Sequence, residues 1–453
     1  MKLYKEKLFL FLVCVLLIRF PSGIEAFCGF YVAKADASLY NKVSRVVMIR
    51  DANRTVIGMM NDYKGELEKF ALVVPVPTVL TKQQIHIGDS KVFDHLDVYT
   101  APRLVEYFDP DPCLLQPKRS KYKYDLQMES LPPIPQSPKS QKPLGVKIEA
   151  SYTIGEYDIV ILSAEYSDGL ETWLLQNGYK IPAGASSALK PYIKQKMKFF
   201  VAKVNLKKHN STGLTYLRPI QFAFESEKFM LPIRLGMINS KGSQELLLYI
   251  LTKNGRVETT NYRSAKLPTG MEIPEYVKGE FGSFYKSMFE HQTKKENSRV
   301  VFTEYFWDMS WCDPCAADPL SRDELKSLGV FWLNDSINPN FSFRSPPRVM
   351  VTRLHVSYNA QNFPEDLLFQ ETNDTNNFQG RYVLQHPWNG KHNKCSEAKE
   401  YFKRLVERKE KRAYNLAELT GWNIDGIRTK MNLHPLENDN GNERGGNWWT
   451  PWQ

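Results

Sequence analysis

The sequence lacks most of the signatures that announce an activity. There is no G-x-S-x-G elbow, which removes the usual α/β-hydrolase nucleophile. There is no glycine-rich phosphate cradle and no dinucleotide fingerprint, so nucleotide chemistry has no foothold. Only one C-x-x-C occurs, so a zinc site built from two such clips is excluded. No internal repeat is visible. Past the first few dozen residues no run reaches the roughly 18 apolar residues of a membrane-crossing helix. Cysteine is sparse, at six in 453 residues.

What is present begins with a leader. Lys2, Lys5 and Lys7 give a basic start, LFLFLVCVLLI (Leu8 to Ile18) an apolar centre, and PSGIEA a run ending on the small Ala26. That order predicts a secretory signal peptide over residues 1–26 and a periplasmic or extracellular address. Glu25-Ala26-Phe27 before Cys28 does not suit lipid attachment. Cleavage one residue later than Ala26 would leave Cys28 as an N-terminal nucleophile, a minor alternative. Beyond the leader the cysteines are Cys28, Cys113, Cys312, Cys315 and Cys395. An oxidising compartment makes all five disulfide candidates, and an odd number leaves one thiol over.

The formal net charge is +10, with basic residues scattered rather than massed. The cluster from Arg404 to Arg412 alternates with Glu407 and Glu410, as on an exposed helix. Such a spread argues against nucleic acid and for another macromolecule or an envelope surface as partner. Apolar residues make up 42% and aromatics 13%, enough for sizeable cores, and the length suits two lobes.

We read residues 27–113 as a β-rich lobe, 114–145 as a Pro/Ser/Lys-rich linker or long loop, and 146–436 as an α+β lobe. Residues 437–453 read as a disordered tail carrying Trp448, Trp449 and Trp452. VSRVVMIR and TVIGMMND form a hairpin about a polar turn. FALVVPVPTVL is a strand that its prolines push to an edge. A short helix is expected after Ala101-Pro102. Two further hairpins are expected, about Glu225-Ser226-Glu227 and about Asn254-Gly255. RVVFTEYFW and VMVTRLHVSY are strands, Ser321 to Glu324 is a capping box, and a long amphipathic helix follows Cys395. The fold class is α+β, with antiparallel hairpin-rich sheets and helices in the middle and C-terminal parts.

Three constellations could carry chemistry. Trp311-Cys312-Asp313-Pro314-Cys315 resembles a thiol–disulfide exchange site. Its context does not: the capped helix starts about nine residues too late to lend its dipole, and Asp308, Asp313 and Asp318 oppose a thiolate. A local structural bridge is the better reading of Cys312 and Cys315, and a metal clip the weaker one. His86 and His95, near Asp94, could hold a metal, although solvated loop residues are the plainer account. No catalytic constellation is convincing, and no cofactor is implied.

CGFYVAKADASLYN, VVMIRDANRTVIGMMNDYKGELEKFALVVPVPTVL, DHLDVYTAPRLVEYFDPDPC, WCDPC, VTRLHVSY, FPEDLLF and GRYVLQHPW together resemble the bacterial domain-of-unknown-function family numbered 2330. The resemblance covers nearly all of the chain past the leader. It implies an exported bacterial protein and supplies no catalytic residue. The leading expectation is therefore an exported, non-catalytic binding or interaction protein of the cell envelope, stabilised by disulfides. Its rivals are a thiol–disulfide oxidoreductase using Cys312 and Cys315, and a metal-dependent hydrolase at His86 and His95.

Overall fold

The computed structural model describes residues 30–31, 44–60, 71–114, 146–177, 185–214, 216–238, 242–311, 318–336, 348–392 and 394–433. Cys28, Cys312, Cys315, nearly all of the 114–145 segment and the tryptophan tail lie outside them. The chain forms two compact units, each assembled from three stretches: 1–102, 129–267 and 296–380 in the first; 103–128, 268–295 and 381–453 in the second. Neither unit is a single sequence interval.

The first unit is built on two sheets. The smaller has the order β1-β4-β9-β8-β7, from β1 (Phe30–Tyr31), β4 (Ala71–Val76), β7 (Lys147–Ile154), β8 (Tyr157–Ser163) and β9 (Lys198–Val204). The larger joins β2 (Ser44–Asp51), β3 (Arg54–Met60), β5 (Ile85–Ile87), β10 (Ile220–Glu225), β12 (Gln244–Thr252), β14 (Arg263–Lys266), β15 (Val300–Asp308) and β16 (Met350–Tyr358). Its order is β14-β15-β16-β12-β2-β3-β10-β5, with β18 (Phe378–Gln379) paired to β15. A third, small sheet contains β11 (Met230–Leu231), β13 (Val257–Thr259) and β17 (Leu367–Glu371).

The period-2 alternation of a strand sorts side chains between faces. In β2, Val46 and Met48 enter the core between the two large sheets, while Val47 and Ile49 face outward. There they meet α1 (Ser90–Thr100) and α7 (Arg322–Ser327) through Phe93, Leu96 and Leu325. The smaller sheet does the same: Phe200 and Ala202 face the shared core, while Phe199 and Val201 pack under α2 (Ser167–Gln176) and α3 (Ala185–Lys194). Each outer face is thus roofed by helices. Two short helices complete the unit, α4 (Leu206–Thr212) and α5 (Arg234–Met237).

The second unit pairs β6 (Arg103–Phe108) in parallel with β19 (Arg381–His386). It adds α6 (Phe281–Lys295), α8 (Ser396–Thr420) and α9 (Ile424–Lys430). Phe284 of α6 meets Tyr382 of β19 edge to face, with ring centroids 4.8 Å apart. Cys395 is the N-cap of α8 and is bonded to Cys113, with Cα atoms 6.0 Å apart, an ordinary disulfide separation.

Several sequence expectations hold. β2 and β3 form the hairpin, Ser321 and Glu324 form the capping box, and α8 runs for 25 residues. Others are corrected. The helix near Pro102 precedes it: Asp89 caps α1, and Ala101 is extended (ψ 143°) because a residue before proline is held out of the helical region. β6 follows where the helix was expected. The strand β4 is flanked on both sides, though β1 reaches only Leu72 and Val73, short of Pro75. The hairpin about Glu225–Glu227 does not form, because β10 pairs with β3 and β5 while β11 pairs with β17. The hairpin about Asn254-Gly255 does not form either, since β13 turns away to β17. Gly255 serves a close approach instead. A Cβ there would lie 1.9 Å from the Thr372 carbonyl oxygen, and the amides of Asn254 and Gly255 both donate to Glu371.

Candidate functional site

Two regions of the first unit gather polar side chains against apolar surroundings. One is a buried ionic stripe on the helix side of the large sheet. In β16, Leu354 and Val356 point into the core between the sheets, so Arg353 and His355 share the opposite face with Val351. Both are 4% exposed, and Glu304 beside them is fully buried. Glu304 sits where β15 shifts register against β16, between Thr303 and Tyr305. Such a bulge re-aims a side chain. Its carboxylate takes Arg353 Nε at 2.7 Å on one oxygen and His355 Nδ1 at 2.7 Å on the other.

The stripe continues both ways. Arg353 Nη1 donates to Asp97 of α1 at 2.6 Å on its carboxylate and 3.0 Å on its carbonyl oxygen. Tyr249 of β12 donates to the same carboxylate at 2.7 Å. At the other end His355 Nε2 lies 3.7 Å from Glu245, whose side chain is a third exposed. Burial works against a charged His355, but the carboxylates of Glu304 and Glu245 outweigh it, so its pKa is raised. Burial pushes the Tyr249 phenol up, keeping it a neutral donor. The carboxylates favour the protonated ring, and the Asp97 contacts of Arg353 and Tyr249 fasten α1 to the sheet.

The second region is a split cleft. One chamber, about 260 Å³, is lined by Ile57, Pro75, Pro77, Met197, Phe224 and Pro232 among others. The other, about 340 Å³, is lined by Phe229, Arg234, Thr260, Asp366, Leu368 and Phe369 among others. Gln195, Lys228 and Met230 line both. Lys228 Nζ donates to Gln195 Oε1 at 2.6 Å, a polar bar at their shared boundary. The loop carrying Lys228 is set by buried Arg50, which donates to the carbonyl oxygens of Asn53 (3.2 Å) and Ser226 (2.9 Å) and stacks on Phe229. Asp366 accepts from Tyr192 Oη (2.6 Å) and from the amides of Ile233 (3.0 Å) and Arg234 (3.2 Å). Arg234 Nε stands 3.6 Å from Asp366, buried and with no hydrogen-bond partner among the described residues.

The residues singled out from sequence fall elsewhere. Cys113 and Cys395 are joined to each other. His86 is exposed on β5, opposite Gln221. His95 spends both ring nitrogens, on Glu324 at 2.8 Å and on the Asp318 carbonyl oxygen at 2.9 Å. Its pKa is raised: burial opposes the charge and the Glu324 hydrogen bond prevails, while Glu324 is held down to about 2. Asp94 pairs with Arg45 at 2.6 Å. Among the described residues no group of three or more His, Cys, Asp or Glu side chains is placed to hold a metal ion. Sequence reasoning missed both regions. For the stripe there was a signal: Glu304, Arg353 and His355 interrupt strands that otherwise read as core.

Both regions lie within residues 22–370, which match a family model described as an uncharacterized protein conserved in bacteria, domain of unknown function 2330. The chain belongs to this family. The helices α8 and α9 fall beyond the part of the chain that the family model covers. No curated protein and no solved structure matches the chain. No helix among the described residues is long and apolar enough to cross a membrane.

Proposed function

We propose that this member of the family is an exported, non-catalytic binding protein of the bacterial cell envelope, and that its ligand occupies the split cleft. The observation that carries the reading is the cleft itself. It offers rigid apolar walls from Pro75, Pro77, Pro232 and Phe224 beside a few fixed polar groups at Lys228, Gln195 and Arg234. Concave, mostly apolar surfaces with sparse polar anchors are what small-molecule sites share, in volumes of roughly 300–1,000 Å³. The stripe, by contrast, spends its charges on one another. The signal peptide read from residues 1–26 supports the address.

The test has two parts. Expressed with its own leader in a Gram-negative host, the chain should appear in the periplasmic or extracellular fraction without residues 1–26. Purified, it should bind the uncharged apolar dye Nile red, and Met230→Arg should abolish binding while leaving the unfolding transition in place. Cytoplasmic retention of the leader would sink the first half. Dye binding untouched by Met230→Arg would sink the second.

A further inference from the structure

Resting on the reading of the cleft as the binding site, we infer that its ligand is a single-chain amphiphile with an anionic head, a carboxylate or a phosphate. The head lies between Arg234 and Lys228, and the chain runs past Met230 into the chamber walled by Pro75, Pro77 and Phe224.

Three features of the cleft point this way. The two chambers differ in where their charged side chains lie. The first is walled mainly by Ile57, prolines, methionines and Phe224; the second gathers Arg234, Thr260, Glu365 and Asp366. Phe229, Leu368 and Phe369 line the second chamber too, so an occupant of both is apolar along its length and meets its charged partners at the Arg234 end. The cations are under-used. Arg234 lines the chamber with its side chain part-exposed, and its Nε reaches Asp366 only as an ion pair at 3.6 Å, with no hydrogen bond among the described residues. An anionic oxygen in the chamber would meet the exposed part of that guanidinium. Lys228 donates only to a neutral amide oxygen and appears in no ion pair among the described residues. The acids are accounted for. Asp366 already accepts from one hydroxyl and two amides, and its burial disfavours the charged carboxylate. Glu227 and Glu365 stand exposed at the rim, where water screens them. Turning Lys228 from Gln195 to the head would bring its charge to the chambers' shared boundary.

The experiment is displacement of Nile red from the full chain by ligands of equal tail length, below their micelle concentrations. Dodecanoate and dodecyl phosphate should displace the dye at concentrations about tenfold lower than dodecanol, as one charge-assisted hydrogen bond implies. Inorganic phosphate alone should not displace it. Lys228→Gln, a change at an exposed side chain, should bring the acids to near parity with the alcohol. Arg234→Gln should do the same. Equal displacement by dodecanol, or stronger displacement by dodecyltrimethylammonium, would overturn the inference. So would co-sedimentation with phosphatidylglycerol vesicles without displacement by dodecanoate. In each of those cases Nile red binding that is lost in Met230→Arg would still uphold the cleft as the site.

Discussion

Arg353 and Arg234 are both arginines beside an aspartate in the same unit, and they do opposite things. Arg353 is enclosed: its guanidinium meets Glu304, Asp97 and Thr100 within hydrogen-bonding reach, and Tyr249 lies under it. Arg234 is half-enclosed and leaves one N–H unanswered 3.6 Å from Asp366. The first charge has been consumed by the fold. The second lies on the wall of the cleft that we propose as the ligand site. A buried ion network and a ligand site can share residue types, and the difference lies in whether the hydrogen bonds close.

The comparison breaks most visibly at Glu304. Glu304→Ala strands Arg353 and His355 in a buried place, and breaking a buried ion pair costs about 3–5 kcal/mol. Urea unfolding measures it, and a loss under about 1 kcal/mol would show that the stripe is wet. Cys113→Ser should cost about 2–4 kcal/mol by freeing the denatured chain. The loss should vanish when wild type and variant are compared in reductant.

His355 sharpens the comparison through pH. Its pKa is raised in the folded state, so its protonated form stabilises the fold at pH values below the ordinary histidine range. That contribution fades as pH rises through the raised value. His355→Asn should flatten the wild-type decline in stability above about pH 6.5. Parallel wild-type and variant curves there would remove His355 from the account; His95, also raised, is the control to vary separately. The smallest effect belongs to the cleft. Arg234→Gln should cost less than Glu304→Ala, because Asp366 keeps the Tyr192 hydroxyl and two backbone amides, while changing ligand preference. A large loss would mean that its charge, too, is spent.

The sequence was most legible where structure is local. The β2–β3 hairpin, the Ser321 cap and the long helix after Cys395 each follow from neighbours within a few positions. It misled where a local signal was used for a distant purpose. Asn254-Gly255 is a strong turn signal, yet Gly255 is needed because Thr372, more than a hundred residues on, passes too close for a Cβ. The stripe was half-visible: charges at core-facing positions of β15 and β16 demand buried partners, although Asp97 could not be named as one. The cleft was not visible at all. Ile57, Pro75, Met197, Lys228 and Asp366 lie on five separate stretches, and no spacing relates them.

The bond between Cys113 and Cys395 spans 282 positions of the chain. It makes a covalent ring of everything between them, including two of the three stretches of the first unit. A protease that cuts once anywhere inside that ring, the proline-rich 114–145 segment included, releases no fragment. The nicked molecule stays in one piece until it is reduced.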